Sequence, residues 1–423
     1  NNNLYLFIMI KEIVIVGGGT AGWLTAAYLN YQLPKFKLTI IDKEIGTPVG
    51  VGEGTLLDFE DFLKGCGFDK SEWFNLIDAV PKSGILFPKW VSKSNDIWHP
   101  FELGVRKNKL IKGNYNSNVS AFNIDCSKLV YYIQDKLKDR VKIIKSDVVK
   151  IKREGDVEYV KLKNNKKIKS DLYINCTGWK NIFKYKDKKQ LLNDRLMCDT
   201  AVAAHVPYNN RQKEQHNYVV SEAVESGWIW KIPVQSRIGS GFVFNRNITK
   251  IEEAKNYFIK YWDNRITKDN IKVLDWTPFY LKNPWQHNVV NIGLSSGFLE
   301  PLESTGIAII MRSIFNLTKR ICTSFYTKND IDLYNKTMET MYEDCIDFVS
   351  MHYCNSKRKE RFWKEATKKI KTSDLHKKYL NVLNSNKNLE HLVNNKFQDV
   401  KVFTGANWLC WLTQMKYKKY ESK

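Results

Sequence analysis

No stretch of this sequence approaches the roughly 18 consecutive apolar residues needed to cross a bilayer. The apolar opening Leu4–Ile10 has no basic flank before it and no small-residue cleavage site after it, so no secretion signal is expected. Asn1–Phe7 reads as an extension ahead of a natural start at Met9. The eight cysteines (Cys66, Cys126, Cys176, Cys198, Cys322, Cys345, Cys354, Cys410) lack the paired spacing of zinc or dithiol sites. Several lie in apolar runs, as small buried hydrophobes do, which suits a reducing cytoplasm. The seven histidines are equally scattered and give no reason to expect a metal. Internal repeats and low-complexity linkers are missing too, so one compact body is expected.

Acid is in short supply: 45 Asp and Glu face 67 Lys and Arg, a formal net charge of +22. Such an excess invites a nucleic-acid or anionic-membrane partner. The lysines, however, run from end to end among asparagines, without a basic helix or a patch interleaved with aromatics. Clusters such as Lys416–Lys419 read as solvated faces, and neither nucleic acid nor membrane is expected as a partner. A chain of 423 residues with 43% hydrophobic content can bury a large core of two or three packed subdomains.

What is present begins with Lys11–Val16, a β-branched run followed at once by Gly17-Gly18-Gly19-Thr20-Ala21-Gly22. A helical pattern, Trp23–Tyr31, comes next, then a second strand, Phe36–Ile41, ending at Asp42. Strand, glycine turn, helix, strand and acid are the context a dinucleotide site requires. Gly17 permits the tight turn, Gly19 lets a pyrophosphate approach the backbone, and Gly22 lets helix and strand pack closely. Asp42 is placed to accept from a ribose hydroxyl, with Glu44 as second choice. The pattern does not choose between FAD and NAD.

Four later stretches carry chemistry. Pro48–Thr55, with Val51, Gly52 and Glu53, is a second glycine-rich loop, which by itself is only a pair of turns. Pro81–Trp90 has an apolar centre that suggests a buried strand, with Lys82 at its mouth and His99-Pro100-Phe101 beyond. Between Thr200 and Ile248 the pattern alternates as an antiparallel sheet does. Within it Trp228 and Trp230 face one side, and Pro233 ends the ladder after Ile232. Ser295–Gly306, SSGFLEPLESTG, links a strand at Val289–Ile292 to a helical pattern at Ile307–Ile321. Backbone N–H groups and the helix dipole converge there as an anion site beside Glu303. An ordinary capped helix would read the same way. Helices are also expected over Thr55–Leu63, Ser71–Val80, Asn123–Leu137 and Glu252–Trp262, with a strand hairpin at Lys142–Lys152 and Val157–Lys163. Asp171–Gly178 should be a strand returning to the cofactor, and Met341–Tyr353 a core helix.

The Gly17–Gly22 turn, the GVGE loop, the WxWxIP run and the Glu303-Ser304-Thr305-Gly306 motif together make the chain resemble the flavin-dependent tryptophan halogenases. Lys82 also stands five residues before Phe87 and eight before Trp90, the family's spacing, which Lys89 does not reproduce. The likeness runs from Lys11 to about Trp363. It implies a Rossmann-like, α/β FAD-binding module of the flavin monooxygenase and halogenase type, with an inserted antiparallel sheet and a mainly helical C-terminal part. The implied parts are 9–80 and 123–199 for FAD, 81–122 for substrate-pocket strand and loops, and 200–287 for the substrate-side sheet. Residues 288–325 return to FAD and halide, and 326–423 are helical.

The resemblance also implies roles. FAD would lie on Gly17, Gly19, Thr20, Ala21, Gly22, Asp42, Val51, Gly52 and Glu53. It would arrive as FADH2 from a separate reductase, since there is no second dinucleotide fingerprint. With O2 it would form a hydroperoxide that oxidises chloride, bromide or iodide held by the N–H groups of Thr305 and Gly306. Trp228, Trp230, Ile232 and Pro233 would separate flavin from substrate. Lys82 would receive the hypohalous acid by hydrogen bonding or as a haloamine, while Glu303 orients it and takes the arene proton. His99 and Phe101 would wall the pocket of an electron-rich, indole- or phenol-like aromatic. Tryptophan-specific members have a longer C-terminal region, whereas this chain stops soon after Ala406–Trp411, so a smaller arene than free tryptophan is expected. Aromatic hydroxylases of related fold carry a Gly-Asp pair where this chain has Gly293-Leu294-Ser295. A hydroxylase is the first alternative and a basic nucleic-acid-binding protein with a vestigial flavin fold the second; a homo-oligomer is left open.

Overall fold

The β-branched runs Glu12–Val16, Lys37–Asp42 and Leu172–Asn175 sit side by side in a parallel sheet, because each is apolar on both faces and must be covered twice. The computed structural model describes residues 8–42, 50–106, 109–116, 121–185, 189–384 and 401–415. In it the sheet has six strands, in the order Lys142–Lys145, Lys37–Asp42, Glu12–Val16, Leu172–Asn175, Val289–Asn291 and Trp285–Gln286, the last antiparallel. Ile13, Ile15, Ile40, Ile174 and Val290 point into the main core, where Trp23, Leu24, Leu129, Ile133, Ile314 and Leu317 supply the helical side. Val14, Val16, Ile41, Tyr173 and Val289 point the other way, onto Val157, Val160 and Leu162 of a three-stranded antiparallel cover. Period-two alternation thus sorts one sheet between two cores.

The second large sheet has seven strands, in the order Lys272–Asp275, Thr200–Val206, Ile238–Phe244, Gly227–Pro233, Val219–Val224, Gly84–Ser92 and Asn95–Pro100. Trp228, Trp230 and Ile232 face the main core, while Ile229 faces a separate cluster under the Ile251–Tyr261 helix. A third, small sheet joins Glu53–Gly54, Phe122–Ile124 and Val80–Pro81.

Several expectations are corrected. The strands near Lys82 are not a unit apart from residues 200–287: Gly84–Ser92 pairs with Val219–Val224, and it does so in parallel, so the inserted sheet is mixed. Lys142–Lys152 is not one hairpin strand. Its first part extends the parallel sheet beside Lys37–Asp42, and after Ser146 the strand Val148–Glu154 starts the antiparallel cover. The helix expected over Ser71–Val80 ends at Trp73. Asn123 lies in a strand; the helix begins at Cys126, capped by Asp125, whose carboxylate accepts from Ser127 N at 2.8 Å. Residues Asn1–Phe7, Glu44, Pro48, Val49 and Lys416–Lys419 fall outside the described residues.

Candidate active site

At the nucleotide end, Gly17 has φ +108°, and a Cβ there would stand 2.3 Å from Cys176 O. A Cβ on Gly22 would stand 1.9 Å from Gly17 O, so helix and turn touch as a glycine contact. A Cβ on Gly19 meets nothing within 4 Å among the described residues, which leaves open space at the start of the Thr20–Gln32 helix, Thr20 and Ala21 forming its first turn. The Asp42 carboxylate packs against Gly18. This is a cradle that fits a dinucleotide phosphate. The Gly50–Glu53 loop passes close to the tryptophan strand: a Cβ on Gly239 would collide with Val51 O, and one on Gly52 would be 3.4 Å from Ile232.

Trp228 and Trp230 have ring centroids 6.2 Å apart, and the Trp230 ring lies over Gly241, where any side chain would collide with it. Trp228 Nε1 donates to Tyr353 Oη at 3.0 Å, and Tyr353 donates to Glu300 Oε2 at 2.5 Å. Burial raises the Glu300 carboxyl to about 7, against the N–H of Cys198, which donates to it. The tryptophan wall and the Glu300–Gly306 turn are therefore braced against each other.

Lys82 is fully buried. Its Nζ donates to Thr55 O at 3.0 Å and Ser304 Oγ at 2.6 Å, and stands 4.8 Å from the Phe101 ring centroid. Burial brings this amine down to about 7, opposed by the Glu303 and Glu53 carboxylates. Glu53, half-buried, is raised to about 7 by desolvation against the pull of Lys82. Gly54 leaves room for both groups, since a Cβ there would come within 2.6 Å of Ser304 Oγ and 2.7 Å of Lys82 Nζ and would have to displace them.

Glu303 and Ser304 hold φ of +62° and +59°, two successive side-chain-bearing residues in the left-handed region. That backbone costs on the order of 1–3 kcal/mol per residue and is sustained only by firm surroundings. Ser304 Oγ is engaged with Lys82 and makes no cap to the Thr305–Ile321 helix. The first N–H groups, at buried Thr305 and exposed Gly306, lie at the positive end of a 17-residue helix.

The Glu303 carboxylate is fully buried among donors. His99 Nδ1 lies 2.9 and 2.8 Å from its two oxygens, His352 Nε2 2.7 Å and Trp411 Nε1 3.0 Å from Oε1. Despite burial, the two histidines hold its pKa down at about 2. Proton positions follow from the partners. Asn407 Oδ1 accepts from Thr404 N at 2.7 Å, so its amide nitrogen faces His99 Nε2 at 3.0 Å. His99 Nε2 must then accept, which puts the proton on Nδ1, toward Glu303. His352 Nδ1 faces Phe348 O at 2.8 Å while Nε2 faces the carboxylate. Burial lowers the pKa of His352 and Glu303 opposes it. With oxygen acceptors at both ring nitrogens, one proton must sit between His352 and Glu303. Asn407→Asp is expected to place a second proton on His99, and nitrogen NMR of labelled histidine should find Nε2 bare in the parent and protonated in the variant. Equal spectra would refute the assignment.

The tryptophan halogenase family model matches residues 12–115 and 105–422. The chain belongs to the tryptophan halogenase family. Tryptophan 6-halogenase ThaL of Streptomyces albogriseolus is 27% identical over 426 residues, covering 86% of this chain and 80% of its own. Tryptophan 7-halogenase RebH of Lentzea aerocolonigenes is 27% identical over 428 residues, with 86% and 80% covered. The crystal structure of the tryptophan 6-halogenase SttH from Streptomyces toxytricini, 23% identical, shares the fold with a TM-score of 0.86 over 96% of this chain and 90% of that one. Membership of a flavin-dependent halogenase family favours an enzyme over the nucleic-acid reading, and a halogenase over a hydroxylase.

Against this background the structure brings Lys82, Glu303, Ser304, Thr305, His99 and Phe101 to one place, and Trp228 reaches it through Trp90, whose ring packs against both Trp228 and His352. Three partners of this site escaped the sequence reading: His352, Asn407 and Trp411. His352 and Trp411 lie within apolar runs that spacing assigns to core packing, and nothing local marks their polar ends as facing a carboxylate.

Proposed function

We propose that this chain halogenates an electron-rich arene of the indole or phenol class, using FAD, O2 and a halide. The observation that carries the reading is the Lys82 amine, buried and bonded to Ser304 between Glu303 and the uncapped helix start at Thr305. FAD fits Gly17, Gly19, Thr20, Ala21, Gly22 and Asp42, with Val51, Gly52 and Glu53 alongside. When bound and reduced, by a separate reductase, it supplies the electrons that let O2 oxidise halide to hypohalous acid. Thr305 and Gly306 N–H groups hold the halide by fixed dipoles in place of its water shell. Trp228, Trp230, Ile232 and Pro233 wall off the arene from the flavin.

Lys82 then holds the hypohalous acid. The arene carbon takes the halogen, hydroxide departs as water with the Lys82 proton, and the ring proton restores the Lys82 ammonium under the pull of the Glu303 charge. Glu303 at rest is saturated with donors, so it serves chiefly to fix the charge beside the reacting atoms. No helix among the described residues is long and apolar enough to cross a membrane, and we place the enzyme in the cytoplasm. The test supplies the protein with FAD, a reductase, NADH and each halide against an arene panel. Product mass should rise by halogen for hydrogen; a gain of one oxygen would favour hydroxylation instead.

A further inference from the structure

Asn123 is fully buried, and neither its amide oxygen nor its amide nitrogen has a hydrogen-bond partner among the described residues. Buried polar groups without partners are rare in native interiors, and each such group calls for a reason. The direction of the side chain follows from the small sheet. Asn123 is the middle residue of Phe122–Ile124, and it pairs with Gly54 on one side and Val80 on the other. Residues opposed across an antiparallel pair send their side chains to the same face. Gly54 marks that face: a Cβ there would point at Ser304 Oγ and Lys82 Nζ. On the other face Phe122 packs against Trp73 and Phe74. The unpaired carboxamide therefore belongs to the Lys82 side, not to the aromatic core.

We propose that Asn123 is a binding residue for the oxidised halogen species beside Lys82. Hypohalous acid carries one O–H donor and an oxygen acceptor, which match the amide carbonyl and N–H together. Lys82 offers that species donors only, and its other contacts are already committed to Thr55 and Ser304. Asn123 supplies the acceptor that the lysine lacks, so the small molecule is held at two points and oriented. This inference rests on the halogenase reading above.

The test is Asn123→Leu in the full chain, comparing halogenated arene formed per flavin oxidised, with a soluble halogen trap to collect escaping hypohalous acid. The substitution exchanges an unpaired amide for apolar volume, so the melting temperature is expected at or above the parent's. Product per flavin should fall about tenfold or more, the worth of a lost hydrogen bond, while trapped hypohalous acid rises. If Leu lowers the melting temperature, Asn123→Ala is read by the same ratio. A ratio within about twofold of the parent, in a variant that melts no lower, would overturn the proposal. A parent that makes no halogenated product would instead defeat the functional reading, so the two failures stay distinct.

Discussion

Replacing Lys82 by methionine is expected to cut halogenated product by about 100-fold to 10,000-fold, the range for losing a positioned acid–base or charge-stabilising group, while flavin binding survives. The Gly17–Gly22 turn proposed to hold the cofactor follows Glu12–Val16 of the parallel sheet, whereas Lys82 follows Val80–Pro81 of the small sheet and meets the proposed flavin residues only through Glu53, so most of the cofactor's contacts should outlast the substitution. Methionine keeps most of the aliphatic volume and omits the charge that burial opposes. Lys82→Arg is not expected to rescue activity, because a planar fork cannot occupy the space set by Gly54 and Ser304. The same variant has a stability signature. In the folded protein burial brings the amine down to about 7, from 10.5 for a lysine in water. Between those values the unfolded chain binds more protons, so the lysine's contribution to stability improves as pH rises through that window. Glu53 runs the other way: raised to about 7 from 4.5, its contribution is full below the lower value and lost as pH climbs to the upper. Denaturation midpoints measured across pH should show Lys82→Met gaining most over the parent at and below neutrality, with the gap closing toward pH 10. A gap that ignores pH would mean the amine is not desolvated, and product formed at the parental rate would remove Lys82 from the chemistry.

The two halves of this site were legible to different degrees, for a physical reason. The glycine turn, the paired tryptophans and the Glu303–Gly306 turn are local: a positive φ, a period of two or a helix start imposes its residues within a few positions. Trp228, Trp230 and Ile232 could be assigned to one face from spacing alone, and they share the core. The contacts that give those residues their charge states are not local. Lys82 meets Ser304 across 222 positions, and His99 meets Asn407 across 308. No periodicity encodes such pairs. Asn123 shows the same limit on a smaller scale: a polar residue shortly before a helical run reads as a cap, whereas the cap is Asp125 and the asparagine faces the site. The parallel pairing of Gly84–Ser92 with Val219–Val224 was hidden likewise, since strand direction depends on a crossover of more than a hundred residues.

Glu303→Gln should cost both stability and product, because a carboxamide cannot serve the donors that meet at this carboxylate. With its oxygen at the Oε1 position, the amide nitrogen takes the Oε2 position and faces His99 Nδ1–H; turned over, it faces Trp411 Nε1–H. Neither orientation neutralises the proton that His352 shares with the carboxylate. Breaking a buried ion pair by removing one partner costs about 3–5 kcal/mol, and loss on that scale is expected in denaturant titrations, together with loss of product. The pH dependence gives the sign. Glu303 is held near 2 in the fold against 4.5 in its absence, so its contribution is fully present above about pH 4.5 and fades as pH falls toward 2. The parent's advantage over Glu303→Gln should therefore shrink in acid. Removing the partner as well separates charge from packing: Glu303→Gln with His352→Leu leaves no buried imidazole to satisfy and should recover much of the lost stability, without recovering product. A double variant as unstable as the single one would show that His352 is not where the excess proton resides.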